Sequence, residues 1–198
     1  MYRYAVLLYL IQKGERKMER KRTQEHLKNL VLAALFGAMV YVLTAFLKIP
    51  THQGYIHIGD GIIYLAAALL PLPYAMAAGA IGAGLSDYLS GYAMWVLPTV
   101  IIKAVTVFAF SRKKDTIINV RNFIGIVPAI LICVGGYYVA SGILYGDFVS
   151  ALADVPTNCI QGIGSAILFV FLGLALDRMN FKKRFFAYSK TNKKAETV

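Results

Sequence analysis

The sequence predicts an all-α integral membrane protein of six transmembrane helices, with both termini on the cytoplasmic side. Three observations carry this. Of 198 residues, 58% are hydrophobic and 16% charged, with a mean hydropathy of +0.60, against roughly 45–50% apolar and about 25% charged in a soluble domain. The uncharged runs have lengths suited to bilayer helices. The charged residues fall in clusters between those runs, as they do in the loops of a polytopic protein.

In chain order, residues 1–26 form a basic N-terminal segment. Its apolar patch Tyr4–Ile11 is too short to span, and no small-residue cleavage site follows, which argues against a signal peptide. Met18-Glu-Arg-Lys-Arg leads directly into the first span, so Met18 stands beside Met1 as a start and residues 1–17 read as dispensable. The membrane domain covers 27–180 and a basic tail 181–198. Leu27–Leu47 is interrupted only by Lys28, and its 21 residues at about 1.5 Å each cross a hydrocarbon core of about 30 Å. Ile58–Leu70 and Tyr74–Tyr88 are shorter and are joined at Pro71-Leu72-Pro73, where two prolines force a turn and make a helical hairpin. Both need tilting partners or a shielded position, and five spans with a re-entrant piece is the fallback arrangement. Ala93–Phe110, Phe123–Tyr145 and Thr157–Leu176 complete the set, each set off by Gly, Asp, Pro or charged residues.

Orientation follows from the 21 Lys and Arg residues, which with 10 Asp and Glu give a net charge of +11. Nineteen of them flank the proposed cytoplasmic ends, in residues 3–28, 112–121 and 178–194. Lys48, on the other side, and Lys103, inside a helix, are left over. The basic excess therefore reads as positive-inside topology and not as a nucleic-acid face, which would gather its bases on a folded soluble surface. Cys133 and Cys159 lie in apolar runs and read as free buried thiols.

Of the nine tyrosines from Tyr41 to Tyr145, eight (Tyr41, Tyr55, Tyr64, Tyr88, Tyr92, Tyr137, Tyr138 and Tyr145) fall in the outer half, and Tyr74 lies at the inner face. A symmetric interfacial belt would populate both faces, so the asymmetry points to an outward aromatic cavity, with a belt as the alternative. Polar stripes at helical spacing point the same way. They are Trp95, Thr99, Lys103 and Thr106 on the fourth helix; Tyr138, Ser141, Gly142 and Tyr145 on the fifth; and Asn158, Gln161, Gly162 and Ser165 on the sixth. Polar groups inside a bilayer face protein or water, so the three stripes describe either a wet pocket or interhelical hydrogen bonding.

Lys103 sits about 15 Å below the outer start of its helix, where a charge costs about 2.5–3.5 kcal/mol on insertion scales. It requires a partner: Asp60, Asp87, or an anionic or carbonyl-bearing ligand. The outer loop Lys48-Ile-Pro-Thr-His-Gln-Gly-Tyr-Ile-His57 has the composition of a lid. His52 and His57 alone do not make a metal site. Small residues at Ala33, Ala34, Gly37 and Ala38, and at Gly79, Gly82, Ala83 and Ser86, allow close helix approach within the bundle or against another subunit.

Enzyme chemistry finds no support. There is no phosphate-cradling loop of the Gly-x4-Gly-Lys-[Ser/Thr] type, no His-Glu-x-x-His and no paired acidic motif. Gly84-Leu-Ser86-Asp87 superficially suggests a nucleophile turn, but no histidine follows it in the chain to act as base.

Three segments, His57-Ile-Gly-Asp60, Ala78-Gly-Ala-Ile-Gly-Ala-Gly-Leu-Ser-Asp87 and Gly91-Tyr-Ala-Met-Trp-Val-Leu-Pro-Thr-Val-Ile-Ile-Lys103, resemble the substrate-binding S components of energy-coupling factor (ECF) transporters. The likeness covers roughly residues 27–180. Within that family the chain is most similar to riboflavin-type and to hydroxymethylpyrimidine- or pyridoxine-type members, and it lacks the N-terminal Met-His of nickel/cobalt members. The resemblance implies a six-helix vitamin-capture subunit in a bacterial-type cell membrane, with its site on the outer side between the first outer loop and helices four to six. It also implies a transmembrane coupling subunit and a pair of cytoplasmic ATPases as partners, with Ala34-x-x-x-Ala38 similar to the family's docking motif. ATP hydrolysis would reside in those partners, and the S component would topple in the membrane to release its ligand inside.

The expected ligand is a small ring-containing vitamin or precursor. Tyr55, Tyr92, Trp95 and Tyr138 would flank its ring, Thr99, Asn158 and Gln161 would orient it, and Lys103 would stand among the pocket residues. No cofactor, metal or nucleic acid is expected. The rival readings are a stand-alone secondary transporter or channel with a Lys103, Asp87 and Asp60 relay, and an assembly protein that uses its small-residue faces and binds no ligand.

Overall fold

At the centre of the molecule is a short helix with no exposed face. The computed structural model describes residues 2–51 and 55–186, with side chains from 12 to 51 and from 55 to 184. Helix α2 (Asp60–Leu69) is buried at all 10 positions. It is apolar all round after Asp60, which is the pattern of a core helix, and at about 1.5 Å per residue it covers about half a hydrocarbon core. The sequence expectation of a short span needing cover is met by burial: α1 (Tyr2–Ala45), α3 (Leu72–Leu89) and α7 (Asp154–Arg178) all pack against α2.

The first helix extends well before Leu27. It runs unbroken through the basic segment, whose Glu, Gln, Lys and Arg are good helix formers. At its end the chain turns into a two-stranded antiparallel hairpin, β1 (Lys48–Pro50) and β2 (Tyr55–His57), with Lys48 opposite His57 and Pro50 opposite Tyr55. The sequence reading gave this segment no strands. His52 lies outside the described residues.

The turn into α3 is the one the prolines predict. Pro71 caps the helix in extended conformation and Pro73 sits in its first turn, where a missing N–H costs nothing. Gly91, at φ +86°, then reverses the chain, a conformation that glycine adopts without a Cβ clash. The predicted fourth helix is a 3-10 turn (Ala93–Trp95), α4 (Val96–Thr106) and a second 3-10 turn (Val107–Ala109). Helix α5 (Val120–Tyr145) starts earlier than Phe123 because the Asn119 side chain caps it, accepting from the Asn122 N–H at 3.2 Å. A short α6 (Phe148–Ala151), capped by Asp147, precedes α7, and α8 (Phe181–Phe186) ends the described chain.

Among the described residues, three helices are long and apolar enough to cross a membrane: Gln12–Ala45, Val120–Tyr145 and Phe148–Arg178. Outside the basic segments at their ends, their exposed side chains include large apolar ones such as Leu35, Val127, Leu131, Ile143, Ile167 and Phe171. An outer surface of this kind suits hydrocarbon and not water.

Helices α1 and α3 approach closely through small residues. A Cβ placed on Gly82 would lie 2.5 Å from the Gly37 carbonyl oxygen and 2.9 Å from Val40 Cβ. Gly82→Val should therefore force the helices apart and lower stability by about 1–3 kcal/mol, read as a depressed melting temperature in detergent. Gly14→Ala, with nothing within 4 Å of its Cβ, should melt like the parent. Ala33 and Val40 join this packed face, whereas Ala34 and Ala38 are exposed.

Tyr64 departs from the sequence reading. It does not face an outer cavity: it is fully buried, stacked on Phe110 at 4.8 Å between ring centroids with Phe169 edge-on at 6.1 Å. These three rings form the core below the ion pair described next.

Candidate functional site

A cavity opens where the hairpin meets the near ends of α3, α4, α5 and α7. The hairpin contributes Tyr55 and His57, which share one face because strand side chains alternate with period 2. Thr51, between the strands, also lines it. Lys48 holds the hairpin in place: its Nζ donates to Ser90 Oγ at 2.8 Å and lies 4.9 Å from the centre of the Tyr55 ring. The turn after α3 delivers Tyr92 and Trp95. Tyr92 meets Tyr55 at 5.0 Å between centroids, and Trp95 meets Tyr137 at 5.9 Å.

Six residues expected at the site from sequence line this cavity: Tyr55, Tyr92, Trp95, Thr99, Asn158 and Gln161. Two do not. Tyr138 turns away and packs edge-on against Phe148 at 5.9 Å, and Tyr137 takes the cavity position, its hydroxyl 3.1 Å from Thr99 Oγ1. Lys103 is absent from the wall because its charge is used underneath. Its Nζ lies 2.8 Å from each oxygen of Asp60, and 4.9 Å from the centre of the Tyr137 ring. The pair is 0% and 1% exposed, so of the partners open to Lys103 in the sequence the structure selects Asp60.

The layer below the cavity is a continuous hydrogen-bonded network. Gln161 Nε2 donates to Asp60 Oδ2 at 3.1 Å, while Gln161 Oε1 accepts from the His57 backbone N–H at 3.3 Å. One amide therefore ties the hairpin to the head of α2. The Gly59 N–H donates to His57 Nδ1 at 3.1 Å, which places the ring proton on Nε2. Burial pushes the imidazole down to about 4, so His57 is neutral at physiological pH. Satisfied networks of this kind fix a single arrangement of the groups they join.

Sequence reasoning did not find Asp87, Asp154 and Thr157 as wall residues; it held Tyr137 only among the outer tyrosines, and Thr51 and His57 only in the lid loop. Asp87 had been considered as a partner for Lys103. Instead its Oδ1 accepts from the Tyr55 hydroxyl at 2.5 Å, and burial, followed by the neighbouring carboxylate, pushes the Tyr55 phenol up and keeps it a donor. Asp154 Oδ2 accepts from Ser141 at 2.9 Å, and its carbonyl accepts from Asn158 Nδ2 at 3.0 Å. A signal for Asp154 was present, since Asp154, Thr157, Asn158 and Gln161 follow i, i+3, i+4, i+7 once α7 is started at Asp154. Of the tyrosines placed in the outer half, Tyr55, Tyr92 and Tyr137 line the cavity, while Tyr88 is exposed on α3 and Tyr41 pairs with Phe46. Cys133 is buried beside Thr106 at 3.5 Å, and Cys159 is half-buried; both are free thiols.

Comparison with known proteins agrees with this geometry. The model of the family described as ECF-type riboflavin transporter, S component, matches residues 24–178. An uncharacterized protein in a gap 3′ region of Pyrococcus woesei is 33% identical over 135 residues, which is 67% of this chain and 88% of that protein. The thiamine precursor transporter HmpT of Lactococcus lactis subsp. cremoris is 24% identical over 157 residues, which is 78% of this chain and 90% of that protein. A match across nearly the whole helical unit, on a chain with an apolar outer surface and a cavity under a hairpin, makes this protein a member of the ECF-type riboflavin transporter S-component family, a family of transporter components and not of enzymes.

Proposed function

We propose that the chain captures a small ring-containing vitamin or vitamin precursor from the outer side of a cell membrane and hands it to a separate coupling subunit and ATPase pair for uptake. The observation that carries this is the cavity wall. Tyr55, Tyr92, Trp95 and Tyr137 supply aromatic surfaces, and Thr99 and Asn158 supply polar edges, beneath a hairpin with Tyr55 and His57 on its inner face. Aromatic walls with a few placed polar groups suit a planar ring whose faces stack and whose edge is read by hydrogen bonds. The family description and the similarity to the thiamine precursor transporter HmpT support riboflavin or a pyrimidine precursor as the compounds to test first.

In this reading the helices make six crossings with both termini inside, as the 19 flanking bases favour. The hairpin is then the outer lid. Trp95→Ala and Asn158→Ala should each weaken ligand binding about tenfold or more, equivalent to about 1.4 kcal/mol, by calorimetric titration of purified protein. Leu131→Ile on the exposed face of α5 should bind like the parent. Unchanged affinity in both cavity variants would remove the basis for this site.

A Lys103, Asp87 and Asp60 relay in a stand-alone transporter is less well supported. Lys103 and Asp60 close on each other, and Asp87 bonds to Tyr55 instead. Uptake by the chain alone in liposomes, driven by a proton gradient, would reverse that preference.

A further inference from the structure

Asp87 uses its two oxygens unequally. The residue is 7% exposed and lines the cavity. Oδ1 is occupied by the Tyr55 hydroxyl, while Oδ2 is buried with no partner at hydrogen-bond distance among the described residues; the Thr99 hydroxyl also faces this carboxylate and is itself 3.1 Å from the Tyr137 hydroxyl. Buried carboxylate oxygens are almost always paired, because one removed from water and left alone is destabilising. The donor that completes it is then to be sought in what fills the cavity.

The charge of the wall narrows what that donor belongs to. Asp87 and Asp154 line the cavity, and no Lys or Arg does among the described residues. His57 is neutral, Lys103 is engaged by Asp60, and Lys48 is engaged by Ser90. A chain of net charge +11 thus lines its cavity with two acids and no cation. An anionic ring edge would meet repulsion here, and an N–H would meet an acceptor.

We infer that Asp87 Oδ2 accepts a hydrogen bond from an N–H on the edge of the bound ring, so that the site takes a nitrogen heterocycle bearing such a donor, neutral or cationic, in preference to rings without one. This rests on the ring-binding reading of the cavity and adds the chemistry of the ring edge. It gives Asp87→Asn a pointed meaning. If the new amide oxygen keeps the Tyr55 bond, its NH₂ falls where Oδ2 was, and donor faces donor at unchanged size.

The test uses the full chain in detergent and the fluorescence of Trp95, the chain's one tryptophan, which lines the cavity. Two probe pairs are titrated: riboflavin against N3-methylriboflavin, and hydroxymethylpyrimidine against its analogue with hydrogen in place of the ring amino group. In the parent protein, the donor-bearing member of the pair that binds should be tighter by about tenfold or more. Asp87→Asn should weaken that member by a similar factor and remove the preference. Equal affinity within both pairs in the parent protein overturns the proposal while leaving the ring-binding reading intact. So does a preference that survives unchanged in Asp87→Asn, since it would then come from shape. If no probe of either pair binds the parent protein, the ring-binding reading fails and this proposal fails with it. Should Asp87→Asn not fold, the pyrimidine pair on the parent protein decides the matter, because its donor-deleted member adds no bulk.

Discussion

Lys103→Met, with Asp60 left in place, is expected to cost about 3–5 kcal/mol of stability, the largest effect of any single substitution considered. Both members of the pair are buried, at 0% and 1% exposure, so neither charge finds water when the other is removed. What remains is a carboxylate at the head of α2 with the Gln161 amide as its hydrogen-bonded neighbour, at 3.1 Å. The cost comes from stranding a charge and not from losing an especially favourable contact, since a buried pair repays little more than its own desolvation. Replacing both residues, as in Lys103→Met with Asp60→Leu, should therefore recover most of the loss. Denaturation in detergent compares the three. A single variant as stable as the parent would contradict the buried pair, and a double variant worse than the single would contradict this division of its energy. The damage should extend to the cavity, because Asp60, Gln161 and the His57 backbone are linked in sequence and Tyr137 lies over the Lys103 ammonium.

The second large effect concerns assembly. Ala34→Trp is expected to abolish co-purification with the coupling subunit while changing ligand affinity less than about twofold. Ala34 and Ala38 lie one helical turn apart and are exposed, whereas Ala33 and Val40 face inward and Gly37 packs on α3. A small-residue step left open on a helix that could have been covered with Leu permits close approach of another helix, and a tryptophan there blocks that approach without entering the core. Retained co-purification would remove the docking role from this face. Loss of ligand binding as well would show a folding defect instead.

Much of this arrangement was legible in the sequence because single residues dictated it. Pro71 and Pro73 can occupy only the turn and first turn that they do occupy, and a lysine ten residues into an apolar helix must find an acid. The stripe on α4 was also readable: Trp95, Thr99, Lys103 and Thr106 are all buried on one side. What failed was rotational phase on α5. Adjacent tyrosines differ by about 100° around a helix, and choosing Tyr138 over Tyr137 required ignoring Cys133, whose spacing of 4 to Tyr137 and 8 to Ser141 marks the inward face. Cysteine had been counted as apolar, yet its sulfur sits 3.8 Å from Lys103 Nζ. Asp87 was misread for a different reason. Its partner is a tyrosine 32 positions earlier on a strand, and neither the hairpin nor its alternation was visible in a segment containing Pro, Gly and two histidines.

A small ring compound in the aromatic cavity under the hairpin is what the proposed function requires. Mass spectrometry of small molecules released from protein purified gently from cells tests it most directly, with the parent and Trp95→Ala prepared side by side. One ring-containing compound is expected at near-stoichiometric amount with the parent protein, lost or reduced about tenfold or more with Trp95→Ala. A parent protein that releases no such compound, and whose Trp95 fluorescence is unmoved by riboflavin and by hydroxymethylpyrimidine, would contradict it.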